Sequence, residues 1–246
     1  MVTAYPVAGK KKSFDLCLAF IRGCGGQVAG ALRPGPAAFY GVNHSNEAIY
    51  RAVLADGRDR YMIDNTYFDA VRQTSFRVTR NRMQHTGHGQ SDGRRFQALG
   101  VQIKPWRNGS HIVVCPQSDS FMQMAGFDGD WTTCVVERLA NLTDREIRVR
   151  RWARNKTQQA RSLQADLVNA HAVVVWSSAA AVTALLEGIP VVVEADDCAA
   201  RPMAGRLEQI EALPRPDREN WLGVLADNEW TIDELTNGTA WSHLQP

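Results

Sequence analysis

The 246-residue chain lacks an apolar run anywhere near the roughly 20 residues that a membrane-crossing helix needs. Its mean hydropathy is −0.30. The lysines at 10–12 follow the first apolar residues instead of preceding them, which is the reverse of a secretory signal, so a cytoplasmic protein is expected. Cysteine is sparse: five residues, an odd count, with no CxxC pair. That pattern does not supply a disulfide framework, and reduced, mostly buried thiols are expected. Charge of one sign is lacking too. A formal net charge of +2 excludes a polycationic nucleic-acid coat protein. Several chemical signatures are missing. There is no Walker GK[ST], no GxSxG nucleophile elbow and no HExxH. GCGG at 23–26 follows a helical segment and not a strand, so it is no dinucleotide fingerprint. No repeat and no low-complexity segment is present.

What is present is alternation. From residue 111 onward, HIVVCP reads as a strand, DWTTCVVERLAN as a helix capped by Asp130, and REIRVRRW as a strand. A helix over 156–170 and the buried strand HAVVVW follow. SAAAVTALLEG then reads as a helix closing at Gly188, and IPVVV as a final strand. Continuous valine runs separated by helices predict a parallel sheet covered on both faces. The first part is less regular but similar. It offers VTAYPV, a helix ending at Gly23, PAAFYGV, a helix over 45–57, and RYMIDNTYF. Residues 75–93 read as a long basic loop around one short strand. Helical patches are expected at 202–213 and 217–227, and the tail EWTIDELTNGTAWSHL pairs a threonine cap with an acidic first turn. The predicted fold class is α/β: two Rossmann-like halves, 1–104 and 105–200, with parallel sheets and a helical C-terminal tail, 201–246.

Candidate chemistry gathers where parallel strands end, because ligands of open α/β sheets sit at the carboxyl edge beside helix N-termini. Trp176-Ser177-Ser178 is such a point, and free N–H groups there suit a phosphate. A plain serine cap is the competing reading. Arg151, Arg154 and Lys156 follow the preceding strand at the same edge, and arginine forks with a lysine suit a diphosphate. The loop after HIVVCP adds Gln117 and Ser118. In the first half, Asp64 ends a strand and is the first candidate for a general base; His44, in a strand-to-helix turn, is the second. Arg77, Arg80, Arg82, His85 and His88 form a basic, histidine-containing stretch suited to an acceptor. The HxxH of His85 and His88 lacks a third ligand at suitable spacing, so no metal site is assigned. One of Trp106, Trp152 and Trp176 could stack a nucleobase, with core or rim packing as the alternative.

The run VNAHAVVVWSSAAAVTALLEGIPVVV resembles the donor-binding half of GT-B glycosyltransferases, more narrowly the capsular-polysaccharide transferase type. RYMIDNTYF, FRVTRNRMQHTG, ALGVQIKPWRNGSHIVVCPQS and EWTIDELTNGTAW together resemble a set of phage-encoded proteins classed with glycosyltransferases. The resemblance implies a nucleotide-sugar donor as substrate and no obligatory cofactor or metal. It places Arg154 and Lys156 on the diphosphate, with Ser177, Ser178, Gln117 and Ser118 beside it. The phage likeness implies hydroxymethylated pyrimidine in DNA as acceptor, in a host cytoplasm, with loop 77–95 on the phosphate backbone. A glycan acceptor and a non-catalytic nucleotide or sugar-nucleotide binding protein stay open, as does a structural α/β protein whose basic loop mediates assembly.

Overall fold

Each of the two parallel arrays predicted from the valine and aromatic runs forms its own sheet. In the computed structural model the described residues are 1–68, 74–124, 127, 129–150 and 162–245. The chain divides into two compact units, Met1–His85 with Val224–Pro246, and Thr86–Gly223. The α/β class with two Rossmann-like halves is as expected. The division differs from the sequence-based boundary at 104/105 and from a separate tail 201–246.

In the first unit, β1 (Thr3–Ala4), β2 (Gln27–Val28), β3 (Ala37–Tyr40), β4 (Arg60–Asn65), β5 (Ser75–Arg80) and β10 (Glu229–Thr231) form one sheet in the order β10-β5-β4-β3-β1-β2. The strands from β2 to β4 run parallel; β5 and β10 are antiparallel additions. α1 (Lys11–Cys24) follows β1, and α2 (Glu47–Ala55) follows β3. One face of the sheet packs Ala4, Tyr61, Ile63, Phe76, Val78 and Trp230 against Leu16, Phe20 and Ile21 of α1.

The expected α1 stop at Gly23 is corrected. Gly25 is the left-handed cap, at φ 66°, and its N–H reaches the Ile21 carbonyl. Gly23 serves close approach: a Cβ there would lie 2.1 Å from the Leu235 carbonyl oxygen. The C-terminal segment is more than a helical tail, since it supplies β10 to the sheet. Its Thr231 caps α9 (Ile232–Thr236) through a reciprocal box with Glu234, and α9 and α10 (Thr239–Leu244) pack on α1.

The second unit holds a wholly parallel four-stranded sheet, ordered β7-β6-β8-β9. Its strands are β6 (His111–Cys115), β7 (Glu146–Val149), β8 (Ala170–Val175) and β9 (Val191–Val193). β6 and β8 are buried at every residue, as continuous apolar runs in a doubly covered sheet require. A short α3 (Arg94–Ala98) precedes the sheet, and α4 (Asp119–Met124) and α5 (Trp131–Ala140) follow β6. Asp130 caps α5 by accepting from Thr133 N at 3.1 Å. α6 (Leu163–Leu167) leads into β8, and α7 (Ala180–Leu186) joins β8 to β9. The helix expected at 202–213 is corrected. Arg201–Met203 and Leu207–Gln209 are single 3-10 turns. Gly205 between them donates to the Val191 carbonyl at 3.0 Å, so this segment lies along the β9 edge and shields it. α8 (Glu219–Asp227) contains the point at which the chain passes from one unit to the other.

Gly188 explains why residues near 104 belong with the second unit. It closes α7 at φ 75°, and a Cβ would meet the Pro105 carbonyl oxygen at 2.0 Å. Lys104 N donates to Leu186 O and Arg107 N to Gly188 O, both at 2.9 Å. The buried Arg218 donates to the Leu185 and Lys104 carbonyls and lies 3.9 Å over the Trp106 ring. The Lys104-Pro105-Trp106 stretch is thus a packed crossing over the end of α7 and not a linker.

Candidate functional site

In the second unit, β6 and β8 end side by side, so Pro116-Gln117-Ser118 and Trp176-Ser177-Ser178 share the carboxyl edge. Gln117 is half-buried and Ser118 exposed. Ser118 Oγ accepts from Phe121 N at 3.3 Å, and its carbonyl receives Met122 N at 3.0 Å. Ser177 is buried, at 1% exposure, and Ser178 is half-buried. α7 begins only at Ala180, and Ser178 Oγ accepts from Ala180 N at 3.2 Å. The serine turn precedes α7, whose N-cap position is Ala179, so neither serine caps the helix.

Trp176 beside these serines is packed edge-on against Phe127 and Trp131, with centroids at 5.4 and 6.4 Å. Trp131 Nε1 donates to Glu194 at 2.7 Å, and Arg138 bridges Glu194 and Glu208 at 2.7 and 3.0 Å. Val192, Val193, Arg201 and Leu207 complete a cavity of about 410 Å³ there with Trp176 and Arg138. Arg151, Arg154, Lys156 and Trp152 lie outside the described residues. The arginines just before them are each matched to an acid. Arg145 pairs with Glu211 at 2.8 Å, Arg148 with Glu146 at 2.6 Å, and Arg150 with Asp166.

In the first unit, Asp64 is the penultimate residue of β4 and His44 lies beyond β3, so both stand toward the carboxyl edge of adjacent parallel strands. His44 is exposed on a turn built by its neighbours. Asn43 Oδ1 accepts from Ser45 N at 2.9 Å, and Asn46 Nδ2 ties the turn to the Tyr5 carbonyl at 2.9 Å. Asp64 is the better-organised group. Its side chain is 47% exposed, yet one oxygen pairs with Arg77 and the other accepts from Asn65 N at 2.7 Å. Asn65, pointing to the opposite face, receives Lys12 Nζ at 2.7 Å and Tyr40 OH at 2.9 Å.

Arg77, expected on a DNA backbone, is buried instead, and Arg80 is engaged in an ion pair. Residues 75–80 are a strand inside the sheet, between β4 and β10. Arg77 is only 6% exposed and lies 4.2 Å over the Tyr67 ring. Arg80, at the far end of the same strand, pairs with Asp59 at 2.7 Å and thereby holds that carboxyl below its ordinary range. Arg82 and His88 are exposed and His85 is half-buried; His85 falls in the first unit and His88 in the second. Among the described residues no group of three His, Cys, Asp or Glu could hold a metal. The five cysteines are unbridged thiols. Burial pushes the thiols of Cys17 and Cys115 up to about 12, so neither is a nucleophile near neutral pH.

Sequence reasoning missed Glu229. It is 3% exposed and lies directly across from Arg77 in the β5–β10 ladder. It accepts from Thr66 Oγ1, from Tyr67 N at 2.6 Å and from Ser75 Oγ at 2.9 Å. Burial raises its pKa above the ordinary glutamate value. Its partners stand more than 150 residues away in the sequence, and no local pattern marks β10 as a strand.

No protein-family profile matches the chain, and no curated protein matches it. Solved structures do. The Thermosulfurimonas dismutans KpsC beta Kdo 2,7 transferase matches at TM-score 0.53 and 11% identity, covering 98% of this chain and 99% of its own. The beta Kdo 2,4 transferase of the same organism's KpsC matches at TM-score 0.52 and 12% identity, covering 93% and 90%. At such identities the likeness is one of fold, and it spans both units. The chain thus has an α/β fold of two Rossmann-like halves, similar to that of these two transferases.

Proposed function

We propose that the chain is a glycosyltransferase that uses a nucleotide sugar and a glycan acceptor. The observation that carries this reading is the carboxyl-edge turn region of the Thr86–Gly223 unit, in a chain whose fold matches two transferases. The Thr86–Gly223 unit offers a hydroxyl- and amide-bearing edge at Gln117, Ser118 and Ser178, with Ser177 buried in the same turn. The other unit offers an oriented, half-exposed carboxylate, Asp64. Negative charge develops on the departing nucleotide, and donors fixed at a sheet edge stabilise it without reorganisation. Arg151, Arg154 and Lys156 are assigned to the same phosphate. Asp64 takes the proton of the acceptor hydroxyl as that oxygen attacks the sugar's anomeric carbon and the bond to the nucleotide breaks. His44, exposed at the same edge, is the second base.

A glycan acceptor is preferred over modified DNA for two reasons. The burial of Arg77 and the engagement of Arg80 leave the expected phosphate track without two of its cations. Both structural neighbours are named as Kdo transferases. The test is a panel of nucleotide sugars, activated Kdo among them, incubated with capsule-type oligosaccharides or with hydroxymethylated DNA. Mass spectrometry reads the product. The reading expects a mass gain of one sugar on an oligosaccharide. A gain on DNA alone would reverse the acceptor assignment. Binding of a nucleotide sugar with no product on any acceptor would favour a non-catalytic binding protein.

A further inference from the structure

Asp64, Arg77 and Glu229 form one cross-strand row. Arg77 is opposite Asp64 in the β4–β5 ladder and opposite Glu229 in the β5–β10 ladder. Directly opposed residues of antiparallel strands project to the same face, so a carboxylate, a guanidinium and a second carboxyl lie side by side across three strands. Only the first of the three is substantially exposed. A buried guanidinium stays in one place only if its surroundings hold it there. Arg77 is held from below by the Tyr67 ring, at 4.2 Å. Tyr67 is in turn fixed at both ends: its backbone N–H donates to Glu229 at 2.6 Å and its hydroxyl donates to Gln84 at 3.1 Å. Thr66, on the same turn, donates to the other Glu229 oxygen, and Phe68 N donates back to Thr66 Oγ1 at 3.0 Å. The turn after β4 is therefore clamped onto a carboxyl contributed by the last strand of the sheet.

We propose that Glu229 is a positioning residue for Asp64, acting through the Thr66–Tyr67 turn and Arg77. The chain of contacts runs from Glu229 to Tyr67, from the Tyr67 ring to Arg77, and from Arg77 to the exposed carboxylate. β10 thereby completes the candidate site although it contributes no group that faces an acceptor. Among the described residues, Arg77 faces Glu229 across the β5–β10 ladder, and Tyr67 meets it through its backbone N–H. The proposal rests on the reading of Asp64 as the acceptor base, but its structural content can be measured separately.

The experiment follows the Arg77 guanidinium Nε–H signal and the Asp64 carboxyl carbon signal by NMR in the full chain, with product formation assayed in parallel. Glu229→Ala removes the clamp. Glu229→Gln keeps an acceptor for Tyr67 N and a shape that fits. In Glu229→Ala, hydrogen exchange at the Arg77 side chain accelerates by at least about tenfold and the Asp64 signal shifts. Turnover falls with little change in donor KM. Glu229→Gln restores all three. Should Glu229→Ala not fold, Thr66→Val removes one clamp contact and shifts the same two signals in the same direction. Wild-type Arg77 and Asp64 signals in folded Glu229→Ala or Thr66→Val overturn the proposal. If those signals move while Asp64→Asn transfers sugar normally, the positioning stands and the assignment of Asp64 as base fails.

Discussion

Arg77 lies directly across the β4–β5 ladder from Asp64, and the pair joins an arginine side chain 8% exposed to an aspartate side chain 47% exposed. The cation is the structural partner and the anion faces outward. Removing Arg77 should therefore damage the fold more than removing Asp64. Arg77→Ala leaves Glu229 buried beside a cavity, and a loss of about 3 kcal/mol is expected in urea denaturation. A loss below about 1 kcal/mol would mean that the ion pair is replaceable by water.

Glu229 gives the fold a defined pH response. Burial raises its folded-state pKa, so the native protein holds this proton where the unfolded chain has released it. The group is neutral in both states below the unfolded pKa. As pH climbs from the ordinary glutamate value through the raised one, ionising the buried carboxyl lowers stability, and the cost is complete above the raised pKa. Denaturation midpoints measured against pH should show this decline in the wild type and lack it in Glu229→Gln. Parallel curves for the two proteins would remove Glu229 as its source.

The Gly188-Ile189-Pro190 turn has a cause in packing as well as in backbone angle. Gly188 is at φ 75° and has no room for a Cβ beside the Pro105 carbonyl. Gly188→Ala is expected to cost at least about 2 kcal/mol and to lower the melting temperature by several degrees. A variant melting like the wild type would show that the 104–107 crossing yields easily.

Much of this was legible in the sequence because the relevant signals are local. Valine runs gave β6, β8 and β9; Asp130 and Thr231 were readable as caps; Asp64 was readable as a strand terminus. What stayed hidden depends on contacts between distant residues. Arg77 reads as one of many arginines in a basic stretch until β4 and β10 flank it. Glu229 reads as the start of a helical tail until Thr66 and Tyr67 reach it. Gly205 reads as a helix interior until it bridges to Val192. The serines at 177 and 178 were legible as a strand-to-helix turn, but the N-cap position falls on Ala179, and a cap and a phosphate site share one local pattern.

The central claim is that this chain transfers a sugar with Asp64 as base, and a comparison of wild type with Asp64→Asn tests it most directly. With a labelled nucleotide sugar and an oligosaccharide acceptor, the wild type is expected to build labelled product. Asp64→Asn should do so on the order of 100-fold more slowly while still binding the donor. Equal rates for the two proteins, or no product from either across the donor panel, would contradict the account.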